Sequence, residues 1–322
     1  MSDVRPRRVS VIIPARNEEA SIGGIVRAVL AQRGRETETE LEVVVAVDAS
    51  TDDTEGAARA AGARTLCVPW SGAGNPGAAR NFAAREATGD LLVFLDADCM
   101  PSDGWLERLL DAHGRGEAVV GGALDLPPGL PFSARCDYYC GWYHMHSRRR
   151  PGYVVSHPPG NLSVRRDLFL STRGFEERHP IAFAHEELGW QGEVIGCGVR
   201  IYFEPRAIVL HRNRPGLGNM LARNYRWGYS AIESKALTGA ARMAWLYRHP
   251  RVLIALGPAS ALAQAIYIVL CWLRAGVFTP LLMLPAMLAA RAAYAIGMMI
   301  GGIRWLRSRR VPASAETRPR WA

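Results

Sequence analysis

Lysine is almost missing from this chain: nearly all of its 39 basic side chains are arginine, and against 30 acids they leave a formal net charge of +9. A basic balance of that size admits nucleic acid, anionic lipid or a phosphorylated substrate as partners. Helix-turn-helix, zinc-finger and RNP-like patterns are all missing, so nucleic acid is not expected. Cysteine is sparse. The six, at 67, 99, 136, 140, 197 and 271, follow no zinc-ribbon spacing, and Cys136 and Cys140 stand four apart with no matching pair downstream. They read as small buried hydrophobes in a reducing compartment. The first residues, MSDVRPRRVSVIIPA, lack a leader: their apolar run of about five residues is too short for an h-region and meets a proline. The front of the protein is therefore expected in the cytoplasm. No internal repeat is evident. With 322 residues, 49 % hydrophobic and 21 % charged, the chain can bury a core without staples.

What is present is an alternation of strand and helix. Val9 to Ile13 is a β-branched run ended by Pro14, and Glu18 to Gln32 carries Ile22, Ile25, Val26, Val29 and Leu30 at helical spacing. Leu41 to Val47 is apolar on both faces, the mark of a parallel sheet covered on both sides. A helix over 54–61, a strand over 65–68, the turn SGAGNPG, a helix over 78–87 and a strand over 91–95 complete a doubly wound α/β pattern. Further on, the spacing predicts helices over 103–113, 133–147, 186–196 and 219–237, and strands over 118–124, 161–166 and 199–203.

The character changes after residue 250. Val252 to Leu273 holds no charge, and as a helix it would span about 33 Å against a hydrocarbon core of about 30 Å. Ala275 to Ile303 is a second apolar stretch, with Pro280, Pro285 and Arg291 inside it. At the membrane middle Arg291 would cost about 3 kcal/mol, so it either faces a partner or marks a shallow, re-entrant segment. The alternative is a helical hairpin packed on a soluble domain. Arg242, Arg248 and Arg251 precede the pair, Arg304, Arg307, Arg309 and Arg310 follow it, and only Arg274 lies between. That asymmetry puts both outer flanks in the cytoplasm. A multi-pass protein of the cell membrane is expected, its α/β domain cytoplasmic and its basic tail, 307–322, disordered.

The stretch GDLLVFLDADC ends an apolar strand on Asp96 and Asp98 with no basic neighbour. Residues two apart in an extended chain point the same way, and two adjacent carboxylates repel by roughly 4 kcal/mol at an effective dielectric near 20. A divalent cation, Mg²⁺ or Mn²⁺, is the natural counter-charge. A solvated strand-end turn is the bland alternative.

Four stretches taken in order, VSVIIPARNEEASI, VVVAVDASTDDT, GNPGAARNFAAREATGDLLVFLDADC and PPGNLSVRRDLFLSTRGFEE, resemble family 2 glycosyltransferases of the GT-A fold over roughly residues 9 to 235. The resemblance implies an inverting, metal-assisted enzyme with a Rossmann-like, mostly parallel sheet. Residues 1–240 would form the transferase domain, its nucleotide-sugar half over 9–125 and its acceptor half over 126–240. Residues 241–306 would form a membrane-associated helical hairpin. Asp96-Ala97-Asp98 matches the family's DXD motif, with Asp96 near ribose or metal and Asp98 on the metal. Pro14, Ala15, Asn17, Glu18 and Asp48 would hold the nucleotide, although Val47-Asp48-Ala49-Ser50 replaces the usual two acids before Gly-Ser. Arg80 and Asn81 match an Arg-Asn pair, with Arg80 suited to a diphosphate. In AHEELGWQGEVIGCGVRIYFEP, Glu187 falls on the general base, with Glu186 and His185 as rivals. His211 matches a histidine that approaches the metal in several relatives. Trp190 would stack on the acceptor or sit in the core, Gly160 and Asn161 would belong to the acceptor-side strand, and the aromatic loop 138–146 would border the acceptor groove. The implied donor is a UDP-, GDP- or dTDP-sugar and the implied acceptor lipid-linked or delivered by the membrane. Two other readings remain open: a non-catalytic nucleotide-sugar-binding subunit, and a nucleotidyltransferase, which PARNEEASIGG fits poorly.

Overall fold

The computed structural model describes residues 5–32, 39–69, 75–178, 184–238 and 244–308. Most of the glycine-rich turn at 71–77 and most of the basic tail lie outside these. The first half winds β1 (Arg8–Ala15), α1 (Glu19–Leu30), β2 (Glu40–Val47), α2 (Thr54–Ala60), β3 (Arg64–Cys67), α3 (Pro76–Glu86) and β4 (Leu91–Leu95) into a parallel sheet, order β3-β2-β1-β4. Ile12 lies in register with Val44 on one side and Phe94 on the other, all three fully buried. Alternation decides which core each side chain joins. Val9, Val11 and Ile13 pack with Ile22, Val26 and Val29 of α1, whereas Ile12, Val44, Leu92 and Phe94 pack with Ala79 and Ala83 of α3. Each large side chain so buried contributes about 1.5–3 kcal/mol, which is why these strands read as continuous apolar runs.

The second half follows as β5 (Cys99–Pro101), α4 (Trp105–Gly114), β6 (Val119–Asp125), α5 (Phe132–Gly141), β7 (Gly152–Val154), β8 (Asn161–Arg165), α6 (Arg166–Leu170), α7 (Glu186–Gly196), β9 (Ile201–His211) and α8 (Leu217–Thr238). The sheet continues past β4 as β8-β6-β9-β5, with β7 on β9. β8 runs antiparallel to both neighbours, so the sheet is mixed beyond β4. Three expectations change here. The helix expected over 133–147 stops at Gly141, and the strand expected over 199–203 begins at Ile201 and runs on to His211. Asp96 to Asp98 is a turn closed by the Cys99 amide on the Asp96 carbonyl (3.0 Å), not extended chain.

The C-terminal region contains α9 (Ala244–Tyr247), α10 (Pro250–Ala255), α11 (Gly257–Arg274), α12 (Thr279–Leu282) and α13 (Leu284–Ser308). The stretch expected as one span from 252 to 273 is broken at Leu256, and α11 has 18 residues, about 27 Å. Among the described residues one helix, α13, is long and apolar enough to cross a membrane, and half of its apolar window is buried inside the protein. α13 lies along α8 at backbone contact. A Cβ on Gly228 would overlap the Tyr294 carbonyl, and one on Gly297 or Gly301 would overlap the carbonyls of Tyr225 or Tyr229. Arg291 therefore faces protein: it is 5 % exposed and donates to Asn224 of α8.

Candidate active site

Because β1, β2 and β4 run parallel, their carboxyl ends open on one edge, where open sheets bind ligands. A cleft of about 1200 Å³ begins there, at Pro14, Ala15, Asp48, Asp96 and Asp98. It passes Glu186, Glu187 and His211 and ends between α8 and the C-terminal helices. Asp48 is buried and takes the Asn75 amide on Oδ2 (2.5 Å), while its Oδ1 has no protein partner. A buried acceptor without a donor suits a ligand N–H. Glu18 also lines the cleft and pairs with Arg214 at 3.4 Å.

Two of the expected nucleotide contacts are elsewhere. Asn17, at φ +56°, takes the Thr51 amide on its side chain and gives its own amide to Ser50, stitching the loops after β1 and β2. Asn81 is buried and exchanges hydrogen bonds with the Phe175 backbone. Neither is among the cleft-lining residues.

Arg80 lies at the cleft with both terminal nitrogens engaged, one on Asp96 (2.5 Å) and one on Glu186 (2.7 Å), at 3 % exposure. Arg80 of α3 thus supplies a counter-charge to Asp96 and is a strut between two acids. A bare Gly160 makes room for this carboxylate: a Cβ there would stand 2.6 Å from Asp96 Oδ2. Asp98 turns the other way. The turn at 96–98 leads into β5, which pairs Cys99 with His211 in register and brings the Asp98 carboxylate 3.7 Å from His211 Nε2. Asp98, Cys99 and His211 offer ligand atoms within 4.8 Å of one another.

The donor set fits a divalent cation. Asn213 gives its amide NH₂ to Asp137 (2.9 Å), so its oxygen must accept from His211 Nδ1 (2.8 Å). His211 Nε2 is then free to present a lone pair toward Asp98, an arrangement common behind metal-ligating histidines. Cys99 is fully buried, and burial raises its thiol well above the usual range, so sulfur stays protonated. One carboxylate and one imidazole suit Mn²⁺ better than Mg²⁺, which prefers oxygen alone. Asp96 stands outside this group because Arg80 holds it.

Glu187 and Glu186 open α7 and are 8 % and 7 % exposed. Burial pushes Glu186 up despite Arg80. Burial, then the charge of Glu186, pushes Glu187 up to about 8. Glu187 has no ion pair among the described residues, whereas Glu186 is tied down. His185 lines the cleft but bonds Ser230 at 2.7 Å, and burial drives its imidazole well below the usual range. Trp190 is 1 % exposed among Phe169 and Phe175, a core residue. Of the aromatic loop, Trp142, Tyr143 and His144 line the cleft; Tyr138 and Tyr139 pack on Trp272. Asn161 is fully buried and ties Trp105 to β6 and β9. Asp137 and Asn213, behind His211, were not foreseen, and neither were Lys235, Tyr247 and Tyr294, at the far end of the cleft.

Residues 10–170, half of the chain, match the model of the Glycosyl transferase family 2. Glycosyltransferase AglE of Haloferax volcanii is 30 % identical over 234 residues, 70 % of this chain and 73 % of its own length. A Pre-mycofactocin glycosyltransferase of Mycobacterium tuberculosis is 29 % identical over 263 residues; the match takes 74 % of this chain and only 52 % of the relative, about half its length. Among solved structures, a mannosyltransferase of Pyrobaculum calidifontis, described in complex with GDP-Man and Mn²⁺, superposes with a TM-score of 0.60 at 20 % identity, over 92 % of this chain and 88 % of its own. That likeness bears on the fold alone, which is GT-A. With a family match across half the sequence and a relative at 30 % identity over most of both chains, this chain belongs to glycosyl transferase family 2.

Proposed function

We propose that the chain transfers a sugar from a nucleotide-diphosphate donor to a membrane-delivered acceptor, with inversion at the sugar carbon. The observation that carries this reading is the convergence on one cleft of Asp48, the Asp98–His211 couple and Glu187. Residues 1–240 do the transfer, and 241–306 wall the acceptor end. The open Oδ1 of Asp48 accepts from the base, with Pro14 and Ala15 beneath it. Asp96, fixed by Arg80, faces the ribose side. Asp98 and His211 would hold Mn²⁺, which when bound neutralises charge growing on the departing diphosphate. Glu187 takes the proton of the acceptor hydroxyl as that oxygen bonds to the anomeric carbon. Glu186, held by Arg80, leaves that task to its neighbour. In vivo the enzyme works at the cytoplasmic face of the cell membrane. A screen of UDP-, GDP- and dTDP-sugars with and without Mn²⁺ tests the reading. One donor should be turned over, releasing its nucleoside diphosphate only with metal present. No metal-dependent turnover together with no stabilisation of the fold by any donor would leave the enzyme reading without support.

A further inference from the structure

The far end of the cleft poses a charge problem. Lys235, the single lysine of the sequence, lines it from the last turn of α8. Among the described residues its Nζ bonds two phenols, Tyr294 Oη at 3.3 Å and Tyr247 Oη at 3.5 Å. No acid lies within ion-pair distance of it among the described residues. Tyr294 also packs its ring under Arg291, 5.0 Å away, so the two cations share one wall. Arg291 is 95 % buried and lines the same cleft; it bonds Asn224, its Nε has no partner, and no carboxylate pairs with it among the described residues. Arg226 also lines the cleft but is exposed and, nine residues before Lys235, sits on the opposite face of α8. The acids nearby are otherwise engaged: Asp137 pairs with Arg223 at 2.7 Å, and Glu186 with Arg80. Glu187 is the acid that feels Lys235, at the boundary with the transfer site.

A buried guanidinium without an anion is costly, a half-buried ammonium less so, and the cost falls when a ligand brings the charge. The ligand must enter from the acceptor side, because the donor end has its own contacts. An ammonium with free donors and a guanidinium with an open Nε match the oxygens of a phosphate. Leu253 and Met298 line the cleft beside them and offer an apolar surface next to the charge. We propose that Lys235 and Arg291 form a subsite for a phosphate group carried by the acceptor. This rests on the glycosyltransferase reading above and adds the acceptor's chemical class to it.

The single lysine makes the test direct. Reductive ¹³C-methylation of the full chain gives one lysine methyl signal besides the N-terminus. Decyl phosphate stands for a lipid headgroup, glycerol 3-phosphate for a soluble phosphate ester, and decanol for the apolar part alone. At least one phosphate ester should shift that signal, and decanol should not. Response to decyl phosphate alone assigns a lipid source; response to both assigns a soluble one. By calorimetry Lys235→Gln should weaken the responding ester about tenfold or more, and Lys235→Arg should restore most of the loss. Arg226→Gln, exposed on the opposite face of α8, should fold as the parent does and leave that affinity unchanged. Equal binding by decanol, no binding by either ester, or unchanged affinity in Lys235→Gln would overturn the proposal. Nucleoside diphosphate with Mn²⁺ is titrated separately. If that arm fails while the esters bind, the transferase reading falls and the anion subsite stands.

Discussion

At the residue scale two adjacent glutamates sit in different environments. Glu186 has a guanidinium 2.7 Å away; Glu187 has burial and its neighbour's charge. A carboxyl whose proton is held up to about 8 is a better base, once ionised, than an ordinary one. Rate should therefore climb with pH: kcat/KM rises about tenfold per unit below the region of pH 8 and then levels. Glu187→Gln should lower transfer by about 10²–10⁴-fold, abolish that slope and leave donor affinity intact. An unchanged slope would move the base elsewhere. The same group makes a stability statement of opposite sign to the usual acid. Between its ordinary value of 4.5 and about 8, the folded protein keeps a proton that the unfolded chain has released, so stability falls as pH rises through that window. Glu187→Gln should then melt above the parent at pH 8 and close to it near pH 4, read by thermal scans at both.

At the element scale the strands were legible and several pairings were not. Leu91 to Leu95 reads as a strand because five apolar residues in a row need cover on both faces, and α1 and α3 supply it. β5 and β7 have three residues each and no periodicity to find; only pairing with β9 makes them strands. That gap also hid where the two acids after β4 point. The spacing of Asp96 and Asp98 suggested side-by-side carboxylates sharing a cation. The turn instead sends one to Arg80 and the other to His211, partners 16 and 113 residues away. Arg80 and Asn81 were singled out together, yet adjacent helical residues point apart, and only Arg80 reaches the cleft. The glycines of α8 and α13 carry a testable element-scale claim. Gly301→Ala forces two helix backbones apart and should cost about 1–3 kcal/mol. Gly189→Ala sits on an exposed helical position with nothing within 4 Å of the added carbon and should gain up to about 1 kcal/mol. Chemical denaturation of both variants compares them; equal effects would mean the α8–α13 contact is not close.

At the scale of the whole molecule, the large exposed hydrophobics gather on the C-terminal helices. Leu262, Ile266 and Leu270 form a stripe along α11, and Ile296, Ile300 and Ile303 lie exposed on α13. Between the helices Phe278 and Leu282 are 67 % and 84 % exposed. Patches of this kind mark a surface made for a partner or a membrane. A membrane crossing by both helices fits poorly, since α11 falls short and α13 is half enclosed by protein. The same facts suit helices lying in one leaflet, with apolar faces down and Arg291 turned inward to α8. Seated so, the phosphate subsite would stand at headgroup depth, where an acceptor could enter without leaving the bilayer. Replacing Phe278 and Leu282 together by Asp removes the two most exposed anchors. Burying such side chains is worth about 1.5–3 kcal/mol each, so co-sedimentation with phosphatidylglycerol vesicles should weaken by well over tenfold, while turnover of a water-soluble acceptor persists. A second copy of the chain is the competing occupant of this face. If the double variant turns a dimer into a monomer and leaves vesicle binding unchanged, that face is an interface between copies and the seating in the leaflet is wrong.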